Sequence, residues 1–102
     1  MGKNILFVCT FGQNRSRMGA ELWQREFPED SVRYTGVMHA EQLPDEVQWA
    51  DHIYVMEEEH KHEILKQCPN AAEKITVLDI VNIFGFGDET LEEQLRRKLD
   101  LG

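Results

Sequence analysis

A cysteine, an arginine and a serine near the start of the chain are spaced for chemistry: Cys9, five residues, then Arg15 and Ser16. A thiolate is a strong nucleophile, and a guanidinium offers a planar fork that matches two oxygens of a phosphoryl group, which an ammonium cannot do. Cys-x5-Arg-Ser therefore reads as a phosphate-binding loop around a thiolate, with Thr10, Phe11, Gly12, Gln13 and Asn14 supplying its backbone. Ser16 is placed to donate a hydrogen bond to the sulfur. Gly12 permits the backbone turn that points successive N–H groups inward. Taken singly, each residue has a plainer reading: a strand-end cysteine is commonly a small buried hydrophobe, and an arginine in a first helical turn a solvated charge. Their joint context favours the loop.

Such a loop needs a strand before it and a helix after it. Asn4-Ile5-Leu6-Phe7-Val8 is a short apolar run without polar alternation, as expected of a strand buried on both faces of a parallel sheet, and it delivers Cys9 to the sheet edge. Met18, Leu22, Trp23 and Phe27 then recur at helical spacing among Glu21, Gln24, Arg25 and Glu26, which predicts an amphipathic helix starting near Ser16 or Arg17. At that start the backbone N–H groups lack intrahelical partners and the helix dipole adds roughly half a positive charge, so an anion is favoured. That field and the Arg15 guanidinium are expected to lower the Cys9 pKa below its usual ~8.5.

The remaining elements alternate. A second strand is expected over 32–35, a short helix over 44–49, a third strand over 52–55, a helix over 57–67 and a fourth strand over 75–78. Leu91, Leu95 and Leu99 mark a closing helix, with Glu92 and Glu93 early and Arg96, Arg97 and Lys98 late as the dipole prefers; Asp88 reads as its N-cap. The pattern predicts an α/β fold in three layers, a four-stranded parallel sheet with helices on both faces and right-handed crossovers. With 102 residues and 41% apolar content, residues 1–102 form one domain. A net charge of −8 leaves no basic patch for nucleic acid, and no stretch is long enough to span a membrane, so the cytoplasm is the expected location. Cys9 and Cys68 form neither a disulfide framework nor a metal-ligand pattern, and Cys68 before Pro69 reads as an inert helix-end residue. His60 and His62, at i, i+2, point apart on a helix and read as a solvated face rather than a metal site. Trp23 and Trp49 read as core.

The stretch from Phe7 to Glu21 resembles the signature of the low-molecular-weight protein tyrosine phosphatases, whose loop runs Cys-x5-Arg-Ser. Tyr34-Thr35-Gly36 is similar to that family's second strand end, and the run from Ala50 to Glu57 to its third strand leading into Met-Asp. Leu78-Asp79-Ile80-Val81-Asn82 resembles a segment of a shorter bacterial and archaeal branch of predicted phosphatases. The resemblance spans essentially the whole chain and implies phosphomonoester hydrolysis through a phosphocysteine, phosphotyrosine being the first substrate to expect, without metal or other cofactor. The partner would be a phosphorylated protein or a small phosphomonoester.

The chain departs from the family pattern in places that matter. Phe11 and Gly12 stand where the family loop has Gly and Asn, and Asn14 replaces its second cysteine. The family's general acid is an Asp on the loop after the fourth strand, and the aligned position here is Asn82, which is no acid. Asp79 and Asp88 are the nearby carboxylates; with Asp88 favoured as a cap, Asp79 is the candidate acid, its structural alternative being a strand-end carboxylate bonded to backbone. Phe84 and Phe86 would either line the cleft or cover the core edge. Three other readings share the fold: an arsenate reductase, which needs a resolving cysteine; a phosphocysteine carrier, whose loop would lack Arg15; and a phosphate-binding module without turnover.

Overall fold

The computed structural model describes residues 2–80 and 90–101. In chain order the elements are β1 (Asn4–Cys9), α1 (Asn14–Glu26), β2 (Ser31–Gly36), α2 (Leu43–Trp49), β3 (His52–Val55), α3 (Glu58–Gln67), a 3-10 helix (Pro69–Lys74), β4 (Ile75–Val77) and α4 (Leu91–Lys98). Side chains of a strand alternate between faces, and β1 is apolar on both. Ile5, Phe7 and Cys9 pack with Ala20 and Leu22 of α1 and Leu95 of α4. Leu6 and Val8 pack on the other face with Leu43 and Val47 of α2 and Ile64 of α3. The expected three-layer α/β architecture follows from this double burial.

The sheet order is β2-β1-β3-β4, with every pairing parallel. From β1 the chain crosses to β2 on one side and then to β3 on the other, so the order reverses at β1. In such sheets the crevice beyond the carboxyl ends at the reversal is where ligands bind. Register brings Cys9 opposite Gly36 of β2 and Val8 opposite Val55 of β3, so one sheet edge collects Cys9, the segment after Gly36 and the start of α3. Gly19 lets α1 lie close over β1, because a Cβ there would stand 2.7 Å from the Phe7 ring.

The third strand is as expected, and the others differ by a residue or two at their ends. Helix α1 begins at Asn14, ahead of Ser16, and takes Arg15 and Ser16 into its first turn. The cap of α4 is Thr90 rather than Asp88: its hydroxyl accepts from the Glu93 N–H at 3.2 Å, the ordinary N-cap bond to the third helical residue. The 3-10 helix was not anticipated; Pro69 opens it, and Cys68 is the C-cap of α3. Asn82, Phe84, Phe86 and Asp88 lie outside the described residues.

Candidate active site

The loop after β1 is shaped from outside. The carbonyls of Cys9 and Thr10 accept from the N–H groups of Val37 (2.9 Å) and Met38 (3.1 Å), and the Phe11 carbonyl accepts from Nε2 of His39 at 3.0 Å. In a planar trans peptide the N–H opposes the preceding C=O. Three carbonyls held outward therefore turn the N–H groups of Thr10, Phe11 and Gly12 inward. The Gly12 N–H accordingly donates to Sγ of Cys9 at 3.2 Å. Gly12 has φ +71, and a Cβ on it would stand 2.7 Å from the Gly36 nitrogen, so the loop presses directly on the end of β2.

Cys9 is 3% exposed, and its Sγ lies 3.1 Å from Oγ of Ser16. Burial works against a thiolate. Hydrogen bonds from the Ser16 hydroxyl and from backbone groups of Ser16, Gly12 and Gln13 outweigh it and hold the thiol below its ordinary pKa. The expected direction is found, but its source is these hydrogen bonds, and the Arg15 charge is committed elsewhere. Helix α1 also lacks a side-chain cap and carries no acidic residue in its first turn, whereas Thr90 caps α4, so no side chain competes with an anion for its leading N–H groups. A cavity of about 50 Å³ lies between Cys9, Thr10, Phe11, Gln13, Asn14 and Arg15, room for one small anion. A larger concavity of about 430 Å³ between α2 and the 3-10 helix has no such convergence: the Lys74 amine there is bound to the Val47 and Ala50 carbonyls.

Arg15 is 3% exposed and tightly held. Its Nη1 donates to Oε2 of Glu57 and to the Ile80 carbonyl, both at 2.7 Å, and Nη2 reaches Oγ1 of Thr10 at 3.4 Å. Glu57, the N-cap residue of α3, and Ile80 are site residues that sequence reasoning missed. The available signal was position: Glu57 follows β3, the neighbour of β1, and so falls on the same edge as Cys9.

His60 corrects the expectation of a solvated histidine pair. His62 is exposed, 3.9 Å from Glu58, but His60 is fully buried. Its Nδ1 accepts from the Glu57 N–H at 3.0 Å, and its Nε2 lies 2.9 Å from Oγ1 of Thr10. The spacing rule that they point apart holds; what differs is that the start of α3 lies against the loop. Glu57, Glu59 and His60 are close enough together to suggest a cation site, yet both ring nitrogens are already bonded, leaving no imidazole lone pair for a metal.

Asp79, the candidate acid, follows β4 in an exposed position with φ 57, between buried Leu78 and buried Ile80. Strand β4 stops at Val77, and among the described residues the Asp79 carboxylate has no hydrogen-bond or ion-pair partner. Cys68 sits at the far end of α3, about 15 Å of helix from the turn that touches the loop.

No protein-family profile and no curated protein matches the chain. Solved structures do match. The YwlE arginine phosphatase from Geobacillus stearothermophilus is 26% identical over 96% of this chain and 84% of that one, with a TM-score of 0.64. The tyrosine phosphatase Wzb from Escherichia coli, solved in complex with phosphate, is 22% identical over 100% of both chains, with a TM-score of 0.75. A low-molecular-weight protein tyrosine phosphatase from T. tengcongensis is 18% identical over 98% and 95%, with a TM-score of 0.73. Sheet order and likenesses together show that the chain has the fold of the low-molecular-weight protein tyrosine phosphatases.

Proposed function

We propose that the protein is a metal-independent phosphatase that works through a phosphocysteine. The Cys9 thiolate attacks phosphorus, the P–O bond to the substrate breaks, and its electron pair leaves on the substrate oxygen, which takes a proton from Asp79. Water then attacks the phosphocysteine and gives up a proton to the Asp79 carboxylate; the P–S bond breaks, regenerating the thiolate and releasing inorganic phosphate. With Nη1 of Arg15 occupied by Glu57 and Ile80, the remaining edge of the guanidinium faces the equatorial oxygens, beside the inward N–H groups.

The observation that carries this reading is the sulfur itself: buried, pKa lowered, and bonded by Gly12 N–H and Ser16 at the mouth of an uncapped helix. An inert core cysteine has no use for that arrangement. An arsenate reductase would need its resolving thiol within about 7 Å between Cα atoms, and Cys68 is at the wrong end of α3. A phosphocysteine carrier would have no use for the anchored Arg15.

Phosphotyrosine is the first substrate to test, because Phe11, 57% exposed, puts apolar surface on the lining of the cavity for an aryl group. Phosphoarginine is the second, from the likeness to an arginine phosphatase. The test is turnover of aryl phosphate, phosphotyrosine peptide and phosphoarginine peptide by wild type and Cys9→Ser, without added metal, with acid quenching to trap labelled phosphoenzyme. Turnover and a trapped adduct in wild type alone are expected. Phosphate binding with neither turnover nor adduct would make the protein a recognition module.

A further inference from the structure

We propose that His60 is a positioning residue that orients the Thr10 hydroxyl as a hydrogen-bond donor to the anion in the loop; this rests on reading the loop as a phosphate site.

The argument is one of donors and acceptors. Nδ1 of His60 accepts from the Glu57 N–H, so in the neutral ring the proton is on Nε2. Nε2–H then donates to Oγ1 of Thr10 at 2.9 Å, and Nη2 of Arg15 approaches the same oxygen at 3.4 Å. Both lone pairs of the hydroxyl are thereby addressed, and its own proton is left to donate in a third direction. Thr10 lines the small cavity with Cys9 and Arg15, so an oxyanion there is the available acceptor. A threonine with a free rotor would instead turn its lone pairs toward whichever donor came near and present them to a phosphate oxygen for part of the time.

The imidazole is suited to this task because it stays neutral. Burial and the Arg15 charge oppose its protonation, against Glu57 and Glu59, which favour it; the balance lies with the neutral ring. An imidazolium would also put a donor on Nδ1 against the Glu57 N–H. The start of α3 thus holds the loop at two points, Glu57 on Arg15 and His60 on Thr10, from residues three apart in sequence. Thr10 is fifty residues away, which is why the function of His60 is invisible in the sequence.

The test reads protection of Cys9 from iodoacetamide by inorganic phosphate, so it does not require turnover. Asn at position 60 can accept from the Glu57 N–H but cannot reach Thr10; Gln can place an N–H where Nε2 stands. Thr10→Val and His60→Asn are each expected to weaken phosphate about tenfold, the size of one hydrogen bond to a charged group. The double variant should be no weaker than either single one, and Thr10→Ser and His60→Gln should recover most of the affinity. Multiplying losses in the double variant, equal losses for Asn and Gln, or unchanged affinity in His60→Asn overturns the proposal. The 15N imidazole spectrum of the wild type decides independently of any variant's folding: a proton on Nε2 and a bare Nδ1 are expected, and the opposite tautomer or an imidazolium at neutral pH refutes it. Wild type that phosphate fails to protect would overturn the loop reading and this proposal together, whereas protection without turnover overturns only hydrolysis.

Discussion

Oε2 of Glu57 lies 2.7 Å from Nη1 of Arg15, across 42 residues of sequence, with Arg15 3% exposed and Glu57 28%. A guanidinium this buried is tolerable because the carboxylate and the Ile80 carbonyl face it. Removing the carboxylate strands a buried charge. Glu57→Ala should cost about 2–4 kcal/mol, less than for a pair buried on both sides because water reaches Glu57. Arg15 should also lose its aim. Urea unfolding measures the first effect and phosphate affinity the second; a variant as stable and as tight-binding as wild type would show that the pair does neither job.

Cys9 supplies a prediction in pH. Its folded pKa is lowered by the Ser16, Gly12 and Gln13 bonds, against burial. Between that depressed value and the unfolded value of about 8.5, the native state holds fewer protons than the unfolded chain, so stability rises with pH across the window and is lost as pH falls through the folded pKa. Relative to Cys9→Ser, wild type should gain stability over that interval. Ser16→Ala should raise the alkylation midpoint of Cys9, because the lost hydroxyl is one of the bonds that lower it. A midpoint that does not move would assign the lowering to the backbone amides alone.

The contact of Gly12 with Gly36 makes a sharper test of loop shape. A Cβ on Gly36 would meet the Gly12 nitrogen and the Phe11 carbonyl carbon at 2.4 Å, backbone atoms that no rotamer can move aside. Gly36→Ala should therefore push the loop off β2, costing about 1–3 kcal/mol and most of the phosphate affinity. Gly12→Ala adds the strain of φ +71 to the same crowding and should be at least as severe. Phosphate protection of Cys9 in the two variants reads the loop directly, and undiminished protection in Gly36→Ala would mean that the loop holds its shape without β2.

What the sequence made legible was whatever local pattern controls. The apolar run before Cys9, the period of α1 and the spacing Cys-x5-Arg-Ser are each contained within about one element, and each is where it was expected. Two of the misreadings share one physical cause, which is that a partner came from elsewhere in the chain. His60 looked solvated because Thr10, which buries it, is fifty residues away. Glu57 gave no signal of its own because Arg15, its partner, is 42 residues away in sequence. The start of α1 was placed too late because Gln13 is no capping signal, and the missing cap is part of what an anion site requires. For α4 the choice fell on Asp88 although Thr90, directly before the helix, offers the same oxygen acceptor.

Asp79 is the acid of the proposed reaction. It is exposed, in left-handed backbone, without a side-chain partner among the described residues, and joined to Ile80, whose carbonyl is bonded to Arg15. An aspartate adopts that backbone at modest cost, so the conformation alone does not select a role. The leaving group does. An acid matters in proportion to how badly the departing oxygen needs a proton, so Asp79→Asn should lower kcat on phenyl phosphate by about 10²-fold or more and much less on 4-nitrophenyl phosphate, whose phenolate leaves unaided. Equal losses on the two esters would show that Asp79 shapes the loop instead of protonating the leaving group.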